Sequence, residues 1–233
     1  MKHTLFIIAV FFTSALCPLT SYMALAQPPN LPGAGNCLSF NGTSDYVDLG
    51  DPAILQPANV TVEAWFNTKS SSEQYICRKR TYGYTLAISA GNVYFLVFPN
   101  AQAFMAISTN IYNDGLWHFA SGVYDSNNSL LYIYVDGILV GSTSTNGFPL
   151  YYQADKCTIG RDGGVSLAYF SGQIDEVRIY NRALTQTEIR DNMCQKLTGN
   201  EAGLVGYWRF DETSGTTAND SQTNVPPNNG TLK

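Results

Sequence analysis

Histidine, charge and closely spaced metal ligands are what this sequence has least of. Two histidines stand in 233 residues, and only 13% of the chain is Asp, Glu, Lys or Arg. His3 falls in an apolar leader, so His118 is left to serve any Ser–His–Asp or Cys–His arrangement. A polar side chain at a sheet edge or in a core is the expected role of that single imidazole. Thirteen basic residues against eighteen acidic ones give a net charge of -5, the wrong sign for a nucleic-acid surface, which wants basic patches. None of the five cysteines stands in C-x-x-C spacing, which disfavours zinc. Phosphate loops are missing too: Gly160-Arg161-Asp162-Gly163-Gly164 is a turn with no helix signal behind it to hold an anion.

Paired carboxylates are equally scarce. Retaining glycoside hydrolysis needs two carboxyl groups roughly 5 Å apart, which one strand would supply at alternate positions. Glu63, Glu73, Glu176, Glu188, Glu201 and Glu212 have no acidic residue two positions away, and the adjacent pairs Asp175-Glu176 and Asp211-Glu212 point to opposite faces. Catalysis is therefore disfavoured, with cross-strand pairs as its remaining route. A long apolar run is also lacking. Leu5 to Leu16 is interrupted by Cys17, Pro18, Thr20 and Ser21 short of the about 20 residues a membrane span needs. With Lys2 and His3 before it and Ala24-Leu25-Ala26 after it, residues 1–26 read as an export signal cleaved after Ala26. A secreted or cell-surface protein is expected, with residues 27–36 as a linker. Four cysteines remain, Cys37, Cys77, Cys157 and Cys194, and an even count behind an export signal favours two disulfides. Of the three possible pairings, Cys37–Cys194 with Cys77–Cys157 is preferred, because Cys37 and Cys194 flank the two ends of the same domain; the others stay open.

What is present is a period of two. In Thr61 to Phe66, Val62, Ala64 and Phe66 face one way and Thr61, Glu63 and Trp65 the other, the pattern of a half-buried strand. The alternation recurs at 84–88, 93–97, 117–124, 131–135 and 176–180. Asp136-Gly137 between two apolar runs predicts a tight hairpin, since both central residues of a type I′ turn need positive φ. Thr185 and Glu188 have capping-box spacing and predict one short helix to about Met193. Many strands and one brief helix predict an all-β fold, a two-sheet antiparallel jelly-roll sandwich.

Six motifs in order, Leu38 to Val47, Val62 to Phe66, Gly115 to Phe119, Leu131 to Gly137, Ile159 to Arg161 and Gly172 to Leu184, resemble the bacterial laminin G-like jelly-roll modules of the concanavalin A-like superfamily. Residues 37–217 are taken as that domain. The stretch 203–212, similar to a strand with which such modules begin, is expected to close the same sandwich from the C-terminal side; the alternative is that it opens a second module. Residues 218–233, rich in Asn, Thr and Pro, are expected to be a loose tail.

The resemblance implies a structural calcium held by Asp175, a carbonyl at the Asn41-Gly42 turn and one of Asp211 or Glu212, oxygen donors suited to a hard cation. It also implies a non-catalytic recognition module that binds a polysaccharide or glycan; a protein-interaction module of a cell-surface assembly and, less favoured, a laminarinase-like hydrolase are the alternatives. Sugars would be met by aromatic faces. Trp65, Tyr75, Tyr82, Tyr84, Phe104, Tyr151 and Tyr152 are candidates, with Tyr82, Tyr84, Tyr151 and Tyr152 taken as the ligand-binding set because 148–152 is an apolar loop.

Overall fold

The computed structural model describes residues 36–162 and 168–233; the expected export signal 1–26 and the linker up to residue 35 lie outside them. In chain order the strands are β1 (Leu38–Asn41), β2 (Val47–Asp48), β3 (Val60–Asn67), β4 (Gln74–Lys79), β5 (Tyr84–Ser89), β6 (Asn92–Val97), β7 (Phe104–Ile111), β8 (Trp117–Asp125), β9 (Leu130–Val135), β10 (Ile138–Ser144), β11 (Cys157–Ile159) and β12 (Ser171–Tyr180). The helix α1 (Gln186–Met193) follows, then β13 (Leu204–Trp208), β14 (Thr217–Ala218) and β15 (Gly230–Leu232). They form two antiparallel sheets, one of seven strands running β1-β12-β3-β8-β9-β10 with β13 also on β12, and one of eight running β14-β15-β2-β11-β4-β5-β6-β7.

Alternation places one side chain in two between the sheets. Val62, Ala64 and Phe66 of β3 join Ile76, Leu86, Phe95 and Val97 of the facing sheet in one buried cluster. The sheets approach so closely that a Cβ on Gly122 of β8 would lie 2.2 Å from the Phe95 ring, so a glycine there admits the aromatic from the other layer. At the tip between β9 and β10, Asp136 and Gly137 have φ of 52° and 72°, the left-handed pair a type I′ turn demands. The helix begins as its capping box predicts: the Glu188 amide donates to the Thr185 hydroxyl and the Thr185 amide donates to the Glu188 carboxylate. Among the described residues no helix is long and apolar enough to cross a membrane.

Three features differ from expectation or extend it. First, β3 is not half-buried: residues 60–66 are buried on both faces, because α1 and the chain around it cover Trp65 and its neighbours on the side away from the core. Second, β13 lies in the sandwich itself, with Val177 opposite Trp208 and Tyr180 opposite Leu204. The stretch after Ala218, expected to be loose, is ordered as well. β15 pairs with β2, Thr231 opposite Asp48 and Leu232 opposite Val47, and the Asp220 carboxylate gathers the amides of Tyr207, Gln222 and Asn228. Its polar composition supplies side-chain partners for the backbone, a substitute for a regular ladder. Third, Cys194 is disulfide-bonded but Cys37 is a free thiol, so the Cys37–Cys194 bridge is not formed. Position at the two ends of a domain does not by itself set sulfur geometry; burial, and then the neighbouring Asp175, push the Cys37 thiol pKa up. Cys77 and Cys157, the other expected pair, are free thiols too, fully buried, so that bridge is not formed either.

Candidate carbohydrate-facing surface

A sandwich has two outer faces, and each presents the side chains that alternation turns away from the core. On the seven-stranded sheet that face is closed. Arg178 of β12 is fully buried; its guanidinium lies 2.7 Å from Glu176 and 3.9 Å from Glu63 of β3. It also donates to the carbonyls of Asn192 and Gln195 at 2.9 and 2.8 Å, tying the end of α1 to the sheet. Burial pushes the Glu63 carboxyl up to about 7, against the pull of Arg178 and the Ser121 hydroxyl. Here the structure supplies the cross-strand carboxylates that the sequence left conceivable, yet Glu63 and Glu176 face a shared arginine beneath a helix. That is a buried structural network beneath α1. Trp65, a candidate sugar platform, is spent in the same layer: it is 2% exposed and its indole N–H donates to the Met193 carbonyl at 3.1 Å.

The outer face of the eight-stranded sheet is covered in part: Tyr75, Ala87 and Tyr94 form a small buried cluster, while Met105 and Ile107 of the outermost strand are exposed and a cavity lies at one end. Register sets Arg78 opposite Thr85, Thr85 opposite Leu96 and Leu96 opposite Met105, one row running across β4 to β7. A second row holds Tyr75, Ala87, Tyr94 and Ile107. At one end of these rows the β4–β5 turn puts Thr81 and Tyr82 in the left-handed region, φ 48° and 67°, where non-glycine residues are uncommon and often functional. That turn sets the Tyr82 ring edge-on to Phe98, 5.6 Å between centroids, and to Tyr151 at 5.4 Å. Beside the trio lies a cavity of about 320 Å³ lined by Arg78, Lys79, Thr81, Tyr82, Thr85, Phe98 and Gln153.

The walls of this cavity are fixed by ions. The buried Lys79 ammonium donates to the Asp51 carboxylate at 2.7 Å and to the carbonyls of Gln153 and Asp155, anchoring the loop that carries Tyr151. Asp155 is held below the usual carboxylate range: burial raises it, but the Thr81 hydroxyl, the Lys156 amide and nearby cations outweigh that. Arg78 stacks over the Tyr75 ring at 4.7 Å and faces Asp162 at 3.3 Å, while Arg80 approaches the same carboxylate at 3.4 Å. The Arg78 Nε and the Asp162 Oδ1 nonetheless make no well-directed hydrogen bond.

Of the four tyrosines expected to meet a ligand, Tyr82 lines this cavity and Tyr151 packs against Tyr82 beside it. The other two are turned inward. Tyr84 is 0% exposed, its hydroxyl directed to the Leu55 carbonyl, and Tyr152 packs against the core with its hydroxyl on the Pro57 carbonyl. Alternation explains Tyr84, which shares its face with Leu86 and Ile88, while Tyr152 is turned inward by the packing of its loop. Phe104, too, packs against the core. Arg78 carries no sequence signal because β4 does not read as a strand, the alternation of Gln74 to Lys79 being masked by a bulge between Tyr75 and Cys77; Phe98 lies just past β6 and Gln153 in the loop before β11, where no periodicity points to them.

The donors expected for calcium are not brought together. Asn41 pairs with Ser171 on β12, four rungs from Asp175, which at 3.3 Å per residue is about 13 Å. Asn41 instead closes its own loop, its side-chain oxygen accepting the amides of Thr43, Ser44 and Asp45, and the Gly42 amide donates to the Phe170 carbonyl. Asp211 accepts from Lys196 and Arg209, and Glu212 from the Asn219 amide at 2.7 Å. Asp175 lies near enough to Glu176 and Asp211 for their charges, after burial, to lift its carboxyl to about 8. As placed, these residues do not fit one shared cation, and among the described residues no group of three or more His, Cys, Asp or Glu side chains could hold a metal.

This architecture matches a known family. A family model described as the concanavalin A-like lectin/glucanases superfamily matches residues 41–190. The chain belongs to that superfamily. Comparison with curated proteins gives no match. Among solved structures it is similar to a candidate carbohydrate binding protein from Bacteroides ovatus ATCC 8483, with a TM-score of 0.70 and 20% identity over 84% of this chain and 57% of that one. It therefore spans little more than half of that protein. The Ruminococcus gnavus IT-sialidase CBM40 bound to α2,3 sialyllactose aligns with a TM-score of 0.54 and 15% identity, covering 67% of this chain and 95% of the other. A heptameric SAP-like pentraxin from Limulus polyphemus gives 0.51 and 17%, over 65% and 78% of the two chains. At these identities the likeness establishes a shared superfamily fold, and the role of the site rests on its own geometry.

Proposed function

We propose that this protein is a recognition module that binds a glycan on the outer face of its eight-stranded sheet. One observation carries the reading: the open cavity of about 320 Å³ flanked by Tyr82, Phe98 and Tyr151, with Arg78 and Gln153 at its edge. Aromatic faces stack on the apolar faces of sugar rings while a few convergent polar groups fix the hydroxyls, and the volume falls in the range of small-ligand sites. Names of two structural neighbours, one a candidate carbohydrate binder and one a sialidase module solved with a sialyllactose, support the same class of ligand. The export-signal reading of residues 1–26 adds an extracellular setting in which glycans are abundant.

A glycan array followed by calorimetry on the best hit tests this. Wild type is expected to bind at least one glycan, and Tyr82→Ala with Tyr151→Ala to bind it about 10–100-fold more weakly. No bound glycan, or unchanged affinity in the double variant, overturns the reading. A protein-contact role is the second reading, favoured by the exposed row Met105, Ile107 and Ile111 on the outermost strand β7, 45%, 43% and 67% exposed. Its signature would be a partner lost on Ile111→Lys with glycan binding intact.

A further inference from the structure

The cavity beside Tyr82 is a basic spot on an acidic molecule. Eighteen acidic residues stand against thirteen basic ones in the whole chain, yet of the described residues that line this cavity Arg78 and Lys79 are cationic and none is acidic. The carboxylates that balance these cations lie outside the lining. Asp51 accepts from the Lys79 ammonium at 2.7 Å; Asp162 lies 3.3 Å from Arg78 and 3.4 Å from Arg80, one carboxylate between two guanidinium groups. The two lining cations differ in what they can still do. An ammonium has three donors, and those of the sealed Lys79 go to Asp51 and to the carbonyls of Gln153 and Asp155. Arg78 is the cation left to meet an anion: 19% of its side chain is accessible, against 7% for its partner Asp162. Its guanidinium is also placed in advance, stacked over the Tyr75 ring at 4.7 Å, which lowers the cost of ordering it around a ligand.

We propose that the glycan taken by this cavity is an acidic one, whose carboxylate or sulfate pairs with Arg78 while a sugar ring rests against Tyr82. The proposal rests on the glycan reading above and narrows it to one chemical class. A planar guanidinium matches two oxygens of a carboxylate or sulfate at once, and such charge-assisted contacts are stronger than those a neutral hydroxyl makes. Thr81 adds a polar contact of the other kind. Its hydroxyl donates to Asp155 at 2.7 Å, which leaves its oxygen to accept from a sugar hydroxyl.

An array of uronic acid-bearing, sulfated and neutral oligosaccharides, followed by calorimetry on the best acidic hit and on its neutral methyl ester or desulfated form, tests this. The acidic form is expected to bind about tenfold more tightly than the neutral one, and to lose that advantage steadily as salt is raised from about 0.05 to 0.5 M. Whether the carboxylated or the sulfated members lead tells which anion Arg78 takes. Arg78→Gln is expected to shrink the acidic-to-neutral ratio to about twofold or less and Arg78→Lys to keep part of it; a general loosening of the site would weaken both forms and leave the ratio alone. Neutral glycans bound as tightly as acidic ones, or a ratio unchanged in Arg78→Gln, overturns the proposal and leaves the glycan reading standing. An array with no hit overturns both. Where the variant fails to fold, the wild-type comparison of acidic with neutral form, and its salt dependence, decides.

Discussion

The two outer faces of this sandwich start from the same pattern and end as opposites. On β3 alternation turns Thr61, Glu63 and Trp65 away from the core; on β4 it turns out Tyr75 and Arg78. Each face thus carries aromatic and charged side chains, and each carries an arginine beside carboxylates. On the seven-stranded sheet α1 descends on that layer, so Arg178 is fully buried, its charge met by Glu176 and Glu63 and its donors by two carbonyls from the end of the helix. On the eight-stranded sheet no helix among the described residues lies over the corresponding layer: Tyr75, Ala87 and Tyr94 bury one another in a small cluster, and Arg78 lines a cavity. A strand's outward row becomes core or site according to what the rest of the chain lays over it.

That contrast is sharpest for the arginines. Arg178→Met leaves Glu63 and Glu176 without their counter-charge in a closed layer, and a loss of about 3–5 kcal/mol of stability is expected by chemical denaturation. Fold loss below 1 kcal/mol would show that the closed face is not held by its ions. On the open face the signature reverses: Tyr82→Ala with Tyr151→Ala should cost about 1.5–3 kcal/mol of glycan affinity by calorimetry while stability changes by less than that. If stability fell by as much as affinity, the aromatic trio would be ordinary packing.

Titration separates the faces more finely. Folding raises the Glu63 pKa from 4.5 to about 7, so the stability linked to its neutral form is complete below about pH 4.5 and is lost as pH climbs through 7. The stability of Glu63→Gln relative to wild type is therefore expected to improve by on the order of 1–3 kcal/mol between pH 5 and pH 9. A flat difference would mean that Arg178 fully compensates the charge. The smallest effect belongs to His118, at the start of β8. Burial alone would lower its pKa, but Asp136 at 2.9 Å and Asp114 at 3.3 Å raise it on balance. Its contribution is complete below the ordinary pKa of 6.5 and fades as pH rises through the higher folded value. His118→Asn should cost about 0.5–1 kcal/mol at pH 5.5 and less at pH 9.

Much of the fold was legible in the residues. Alternation marked the central strands, Asp136-Gly137 marked its turn, and Thr185 with Glu188 marked the helix start, because each signal is local and needs only its own backbone to act. The placement of the candidate tyrosines was legible only in part. Tyr82 lies at the cavity and Tyr151 beside Tyr82, while Tyr84 and Tyr152, taken as the same set, pack into the core, Tyr84 by alternation and Tyr152 by loop packing. Arg78 was hidden by the bulge in β4. The calcium donors were joined by motif order, but ladder register keeps Asn41 and Asp175 apart.

The sequence by itself determined the strand-rich class, the sandwich expectation, the hairpin and the capped helix, all governed by φ preferences and by the two-residue period of a pleated chain. Only the tertiary structure decided which outward row is covered. That choice depends on where α1 lands, on β13 joining β12 and on β15 returning to β2 near the start of the domain. The longest of these contacts join residues far apart in the chain, 128 positions for Trp65 with Met193, and no local pattern encodes them.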